Sequence, residues 1–451
     1  MIDYTMNTPP HIKIPNISSI NNVLIVSLLV SFFVILNRSP LSFVFGEHSV
    51  YMGYFFICIG FYILITAILV RSNIPKFNRI DRAVLCYLLF LSLRALCMPD
   101  IRRSIVGLAL YTGAVPVYCI VRAVRIKSGS LISVVFFAFI YLVSSTLIET
   151  AFGIQLGTTR VHVSRLSFFP HRLASTLGSS NHLSIFLPAL CILLTAHLLN
   201  QKNRRSRAYA LGVNFVSLFL VIGTSSRGGI IAYVVSLTLL WFFQKVYVEN
   251  KRVSNIIAVS ICIFVLLLLW FFCPQKSQLY SFLSSIFDPN EVGNSIRLIK
   301  YRAIINSVLS DLQTLLFGVG LGYMGNVVHL AGLPTYFELK GIGEYYGSES
   351  WLLKMLFETG LCGFVLFYRL LLRSVYYSHV FTLRSADRVE RGIYLGILFC
   401  LILFLLRSFI LQVFDIPIVL LFTWGGMGYL SRALSREHLG GKTLVRSSSY
   451  V

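Results

Sequence analysis

Charge is scarce along this chain, and acidic charge is the scarcest. Asp and Glu number 17 against 39 Lys and Arg in 451 residues, and charged residues make up 12% of the whole; soluble domains carry about 25%. With 56% hydrophobic residues and a mean hydropathy of +0.78, the chain cannot clothe a single folded core in water. Lipid has to be the solvent for most of it. Paired cysteines are missing as well. The nine cysteines never form a CxxC pair, and most lie in apolar runs, as Cys58, Cys86 and Cys262 do, where cysteine packs as a small hydrophobe. There is no Asp-x-Asp and no His/Cys group at ligand spacing, so neither a metal site nor a cofactor is expected. The N-terminal stretch has no strongly basic n-region and no small-residue cleavage site, so its first apolar run is expected to remain as a signal anchor.

What the chain does have is positive charge, +22 in formal terms. In a soluble protein that balance would suggest nucleic acid as a partner. Here the cations sit in short segments between apolar runs, which is the pattern of membrane topology, and no basic surface interleaved with aromatics is present. No nucleic-acid partner is expected.

A bilayer span needs about 17 to 25 mostly apolar residues. Such runs fall at 20–36, 50–70, 83–98, 104–121, 130–152, 181–199, 208–223, 228–244, 254–273, 351–372, 392–412 and 416–431. The expected fold is therefore all-α, a single integral membrane domain over 1–451 with about twelve transmembrane helices. Basic residues cluster in 71–82, 122–127, 202–207, 245–252, 373–391 and the C-terminal tail. With twelve spans these segments share one side, and the positive-inside rule makes it the cytoplasm. Both termini are then cytoplasmic. The other side carries a loop near 153–180 and a larger one at 274–350, between the ninth and tenth spans. The larger loop contains an amphipathic stretch with Ile296, Ile299, Ile304, Val308, Leu312 and Leu315 at helical spacing, read as a helix lying on the bundle or at the interface.

Ionisable residues within a membrane are costly and mark function by default. Here Arg94, Glu149, Arg227, Arg407 and Asp415 share one depth, near the extracytoplasmic ends of their spans. Arg172 and His171 precede the sixth span on that face, and Arg297 and Arg302 sit in the large loop. Snorkelling at helix ends is the plain alternative. It explains poorly why Arg gathers on the face that the positive-inside rule depletes. Several arginines around one outer cavity suit a phosphate-bearing ligand, which the guanidinium grips with a bidentate fork.

Two segments sharpen this. In Gly223–Phe242, Ser225, Ser226, Arg227, Gly228 and Gly229 open a helix, whose N-terminus offers backbone N–H groups and a positive dipole end that glycines let an anion approach. An ordinary capped turn is the plain alternative. Farther on, Gly320, Gly322 and Gly325 match GxGxxG, but no strand precedes them, so they are read as a tight irregular loop beside the bundle, not a dinucleotide site. Glu349, after Ser348, stands at the mouth of the tenth span as a helix cap or as a base.

Together these segments resemble the hallmark motifs of the O-antigen ligase and polymerase superfamily of bacterial membrane glycosyltransferases. The resemblance rests on Ser225 to Gly229, Gly318 to Gly322, Ser348 to Ser350, Glu358 to Gly363, and more loosely on Arg172 to Leu187, so it spans roughly residues 170–375. It implies undecaprenyl-pyrophosphate-linked glycans as substrates on the periplasmic face of the inner membrane. Membrane lipid, a chain-length regulator and a flippase are the further partners of such a role. Ligases of the family carry a catalytic His where this chain has Glu349, which points to a repeat-unit polymerase. On that reading Arg172, Arg227, Arg297 and Arg302 bind the pyrophosphate, and Glu349 is the general base of a metal-independent transfer. Two alternatives stand beside it: ligation of the glycan to lipid A core, and a lipid-linked oligosaccharide flippase. Polar groups concentrated at one face, rather than at the midplane, favour an enzyme over a transporter.

Overall fold

The structure, a computed structural model, describes residue 30 and residues 77–124, 126–154, 156, 172–177, 179–201, 203–245, 292–323, 350–409, 411 and 413–439. Apart from residue 30, the spans expected at 20–36, 50–70 and 254–273, much of both outer loops, and Glu349 lie outside the described residues. Every regular element among the described residues is helical, and five of these helices are long and apolar enough to cross a membrane.

The helices are α1 (Arg79–Leu96), α2 (Ile101–Thr112), α3 (Val115–Ala123), α4 (Ser128–Phe152), α5 (Ser180–Asn200), α6 (Arg204–Gly223), α7 (Arg227–Phe243), α8 (Val292–Val308), α9 (Leu312–Phe317), α10 (Trp351–Arg384), α11 (Arg388–Ser408) and α12 (Pro417–Leu439). The run 104–121, expected as one span, is two helices, because the chain leaves helical form at Gly113–Ala114 and Pro116 opens α3. A proline is tolerated in a first helical turn, where its missing N–H has no partner to lose. The amphipathic stretch of the large loop is likewise split. Asp311 accepts the Thr314 N–H at 2.7 Å and caps a new helix, α9, after the chain breaks at Leu309–Ser310. The same hydrogen bond holds the exposed Asp311 carboxyl below the usual aspartate range. Ile304 and Val308 of α8 pack on Phe357 of α10, so this segment does lie on the bundle, but Ile299 and Leu312 are exposed.

α5 is apolar all round and almost wholly buried, as a central helix must be. It packs against α4, α6, α7 and α11. This arrangement collects the C-terminal ends of α4, α6 and α11 and the N-terminal ends of α5, α7 and α10 at one end of the bundle. At the other end Asp81 pairs with Arg122 at 2.7 Å and accepts hydrogen bonds from Ser431 and Tyr118, while Asn78 caps α1 and donates to Ser431. That buried network ties α1, α3 and α12 together. Removing one partner of such a pair costs about 3–5 kcal/mol.

Candidate functional site

The first-named end of the bundle is assembled from turns. Gly223 ends α6, Ser225 adopts a positive φ of 52°, and α7 starts at Arg227, as the sequence motif predicts. The Thr224 hydroxyl accepts the Ser226 N–H at 3.2 Å. Alongside, the segment 172–177 docks on the turn: the Leu173 N–H donates to the Gly223 carbonyl at 3.1 Å, and Arg172 Nε donates to the Thr224 carbonyl at 3.0 Å. The fully buried Glu149 of α4 holds the same segment from behind, accepting the N–H groups of Ala174 and Ser175 at 3.1 and 2.7 Å. Of the ionisable residues at this depth, Glu149 is thus a structural clamp.

Ser226 precedes α7 but makes no side-chain cap to it. Its hydroxyl instead donates to the Asn181 side chain and accepts from Arg407, both at 3.4 Å. Arg407, in the last turn of α11, also donates to the Ser184 hydroxyl at 3.4 Å. Gly229 makes this meeting possible: a β-carbon there would lie 2.8 Å from Ser184 Cβ and 3.1 Å from Ser226 Oγ. The glycine that suggested anion approach in the sequence therefore serves the contact of α7 with α5.

Arg407 is the unusual member. It is 2% exposed, its described partners are two hydroxyls, and its Nε makes no hydrogen bond. The other charge found to act on it is also positive, that of Arg297 on α8. A buried cation ordinarily needs a counter-charge, because desolvation costs several kcal/mol per ion. Among the described residues Arg407 pairs with no carboxylate.

The structure thus brings Arg172, Arg227, Arg407 and, through its field, Arg297 to one end of the bundle. Arg302 is exposed on α8, five residues and about 140° round the helix from Arg297. No contact joins it to the others. Arg407 carried a signal in the sequence, an arginine closing an apolar run at the outer depth. Its place at the centre of the group came from the packing of α11 on α5.

The mouth of α10 reaches the same end. Ser350 caps α10 and donates to the Ser408 carbonyl at 3.2 Å, and the Trp351 N–H donates to the Leu411 carbonyl at 3.2 Å. The chain neighbour of Glu349 is thus bonded to the residue after Arg407.

The two glycine motifs form one device. α10 breaks at Gly360, with φ 62° and ψ −170°, which frees carbonyls of the preceding turn. Val319 and Gly320 donate to the Phe357 and Glu358 carbonyls at 2.7 and 3.1 Å. Gly318 and Gly360 both have positive φ and lie backbone to backbone. Arg94 donates to the Gly318 carbonyl at 2.6 Å, and Arg103 to that of Gly322 at 2.9 Å, so these arginines hold the turn. Among the described residues no three His, Cys, Asp or Glu side chains gather as a metal ion would require.

This constellation joins the comparison with known proteins. Residues 212–368 match the model of the family described as O-antigen ligase, a likeness that supports the resemblance to the O-antigen ligase and polymerase superfamily. With its apolar helices, this makes it a membrane protein. The match contains Arg227, Arg297 and both glycine motifs, whereas Arg172 and Arg407 join the group from outside it. No curated protein matches the chain.

Proposed function

We propose that this protein polymerises undecaprenyl-pyrophosphate-linked oligosaccharide repeat units at the periplasmic face of the inner membrane, as a metal-independent, inverting glycosyltransferase. The observation that carries the reading is Arg407, a buried cation among hydroxyls with no carboxylate paired to it among the described residues. An anion of high charge is what such a group is built to receive, and a diphosphate offers several oxygens to arginine forks.

In the transfer, a sugar hydroxyl of the acceptor attacks the anomeric carbon of the donor glycan. The bond from that carbon to the phosphate oxygen breaks, and its electron pair leaves with the lipid pyrophosphate. Arg172, Arg227, Arg297 and Arg407 stabilise the charge that develops on this leaving group. Arg302 stands at the rim, as a contact for incoming substrate. Glu349 takes the hydroxyl proton. Its neighbour Ser350 is bonded to Ser408, the residue after Arg407. General base catalysis contributes about 10²- to 10⁴-fold.

The family's description favours a second reading, ligation of the glycan to lipid A core. One experiment separates the two. With Glu349→Gln at normal membrane level, the polymerase reading expects loss of long polysaccharide with single repeat units still attached to core. Loss of the single unit as well assigns ligation, and normal long-chain banding removes Glu349 from the mechanism.

A further inference from the structure

Far from the arginine hub, two adjoining hollows of about 610 and 460 Å³ lie between the start of α1 and the second half of α10. Both are lined by Arg79, Arg369 and Arg373, and the smaller one also by Arg82. Among the described residues no carboxylate lines either, and none of these four arginines is in an ion pair. The larger hollow continues as an apolar slot whose walls include Val365, Leu372 and Tyr376, which are 51%, 57% and 60% exposed.

The depth of this groove is informative. Arg369 and Arg373 stand 18 and 22 residues along α10 from Trp351. Gly360 breaks that path, so both arginines belong to the second segment of α10, beyond the break. Arg373 donates to the Arg79 carbonyl at 3.3 Å, and Arg79 opens α1 beside the Asp81–Arg122 pair, so the groove lies at the end of the bundle opposite the arginine hub. Of the apolar and aromatic walls on α10, Phe364, Val365 and Tyr368 lie on the Gly360 side of the two arginines, Leu372 lies between them and Tyr376 just beyond them.

We propose that this groove binds an anionic phospholipid, with its phosphate among Arg79, Arg369 and Arg373 and an acyl chain in the slot. Charge complementarity selects the headgroup, since the charged residues that line the hollow are, among the described residues, all arginines. The open apolar slot selects a lipid over a soluble anion. Basic pockets between transmembrane helices take such headgroups in this way. The inference requires that the chain spans a membrane and does not depend on the glycosyltransferase reading.

Native mass spectrometry of the full-length protein in detergent tests it, with added cardiolipin, phosphatidylglycerol, phosphatidylcholine or inorganic phosphate as probes. The wild type should retain the two anionic lipids over phosphatidylcholine, and inorganic phosphate should not displace them. Arg369→Gln with Arg373→Gln should weaken retention by roughly tenfold or more. Leu372→Trp, which fills the slot and keeps every charge, should weaken it too while leaving thermal stability near wild type. Equal retention of phosphatidylcholine, displacement by phosphate, or unchanged binding in both variants overturns the proposal. A photo-crosslinker at position 376 should label lipid. A label on residues 1–76 or on a second copy of the chain gives the groove to that occupant and overturns it equally.

Discussion

Replacing Gly360 by alanine should be among the most damaging single-methyl changes in this protein. Two costs combine. The native φ of 62° is left-handed, which costs a residue with a β-carbon about 1–2 kcal/mol. The new carbon would also lie 2.4 Å from Leu316 C and 2.5 Å from Gly318 N, both backbone atoms that cannot rotate away. Relieving that overlap means moving the turn 318–322 off α10, which breaks the hydrogen bonds from Val319 and Gly320 to Phe357 and Glu358. Two such bonds contribute about 1–3 kcal/mol, so the total loss is about 2–5 kcal/mol, a large part of the 5–15 kcal/mol typical of a domain. Thermal unfolding in detergent measures it, with Gly212→Ala as control, because nothing lies within 4 Å of the corresponding β-carbon in α6. Alanine at 212 should be neutral or slightly stabilising. A Gly360→Ala protein as stable as Gly212→Ala would refute the account of the break as a docking site for the glycine turn.

Two further outcomes follow from the same geometry. Gly229→Ala should keep the protein in the membrane yet lower glycan transfer strongly, because its methyl group displaces the Ser184 and Ser226 hydroxyls that hold Arg407; transfer by membranes of matched protein content checks it. Asp311, whose carboxyl is held below the ordinary range by the Thr314 N–H, stabilises the start of α9 above the unfolded aspartate pKa and loses that effect as pH falls through the lower folded value. Hydrogen exchange in 312–317, corrected for intrinsic rates, should therefore quicken across that acidic window, and in Asp311→Ala it should be fast on both sides of it.

What was legible in the sequence is what periodicity and membrane thickness dictate. The runs at 130–152, 181–199, 208–223 and 392–412 became α4, α5, α6 and α11 with shifts of a few residues, because a long apolar run in lipid has little choice but a helix. Breaks inside apolar runs were not legible. At Gly360 the helix breaks because a distant turn, 318–322, supplies donors for its freed carbonyls, a contact no local pattern announces. The site was half legible. Arg172, Arg227 and Arg297 advertised themselves by charge at the expected depth, and the start of α7 fell at Arg227 as its motif implied. The roles of their neighbours depended on tertiary contacts. Glu149 turned out to hold a backbone segment, Arg94 to hold a glycine turn, and Gly229 to admit a neighbouring helix. Arg407 became central only when α11 was packed on α5.

The central claim is that the arginine group around Ser226 holds the pyrophosphate of a lipid-linked glycan, and direct binding tests it best. Purified wild type, Arg227→Lys, Arg407→Lys, Arg407→Ala and Glu349→Gln would be titrated with an undecaprenyl-pyrophosphate-linked repeat unit, with the uncharged polyprenol as control. The account predicts that Arg407→Ala weakens binding by about tenfold or more and that both lysine variants bind less tightly than wild type, since charge remains but the fork is lost. It also predicts that Glu349→Gln binds as wild type while failing to transfer, and that the polyprenol is insensitive to all four changes. Wild-type affinity in Arg227→Lys, Arg407→Lys and Arg407→Ala alike would contradict the claim and leave these arginines as structural parts of the bundle.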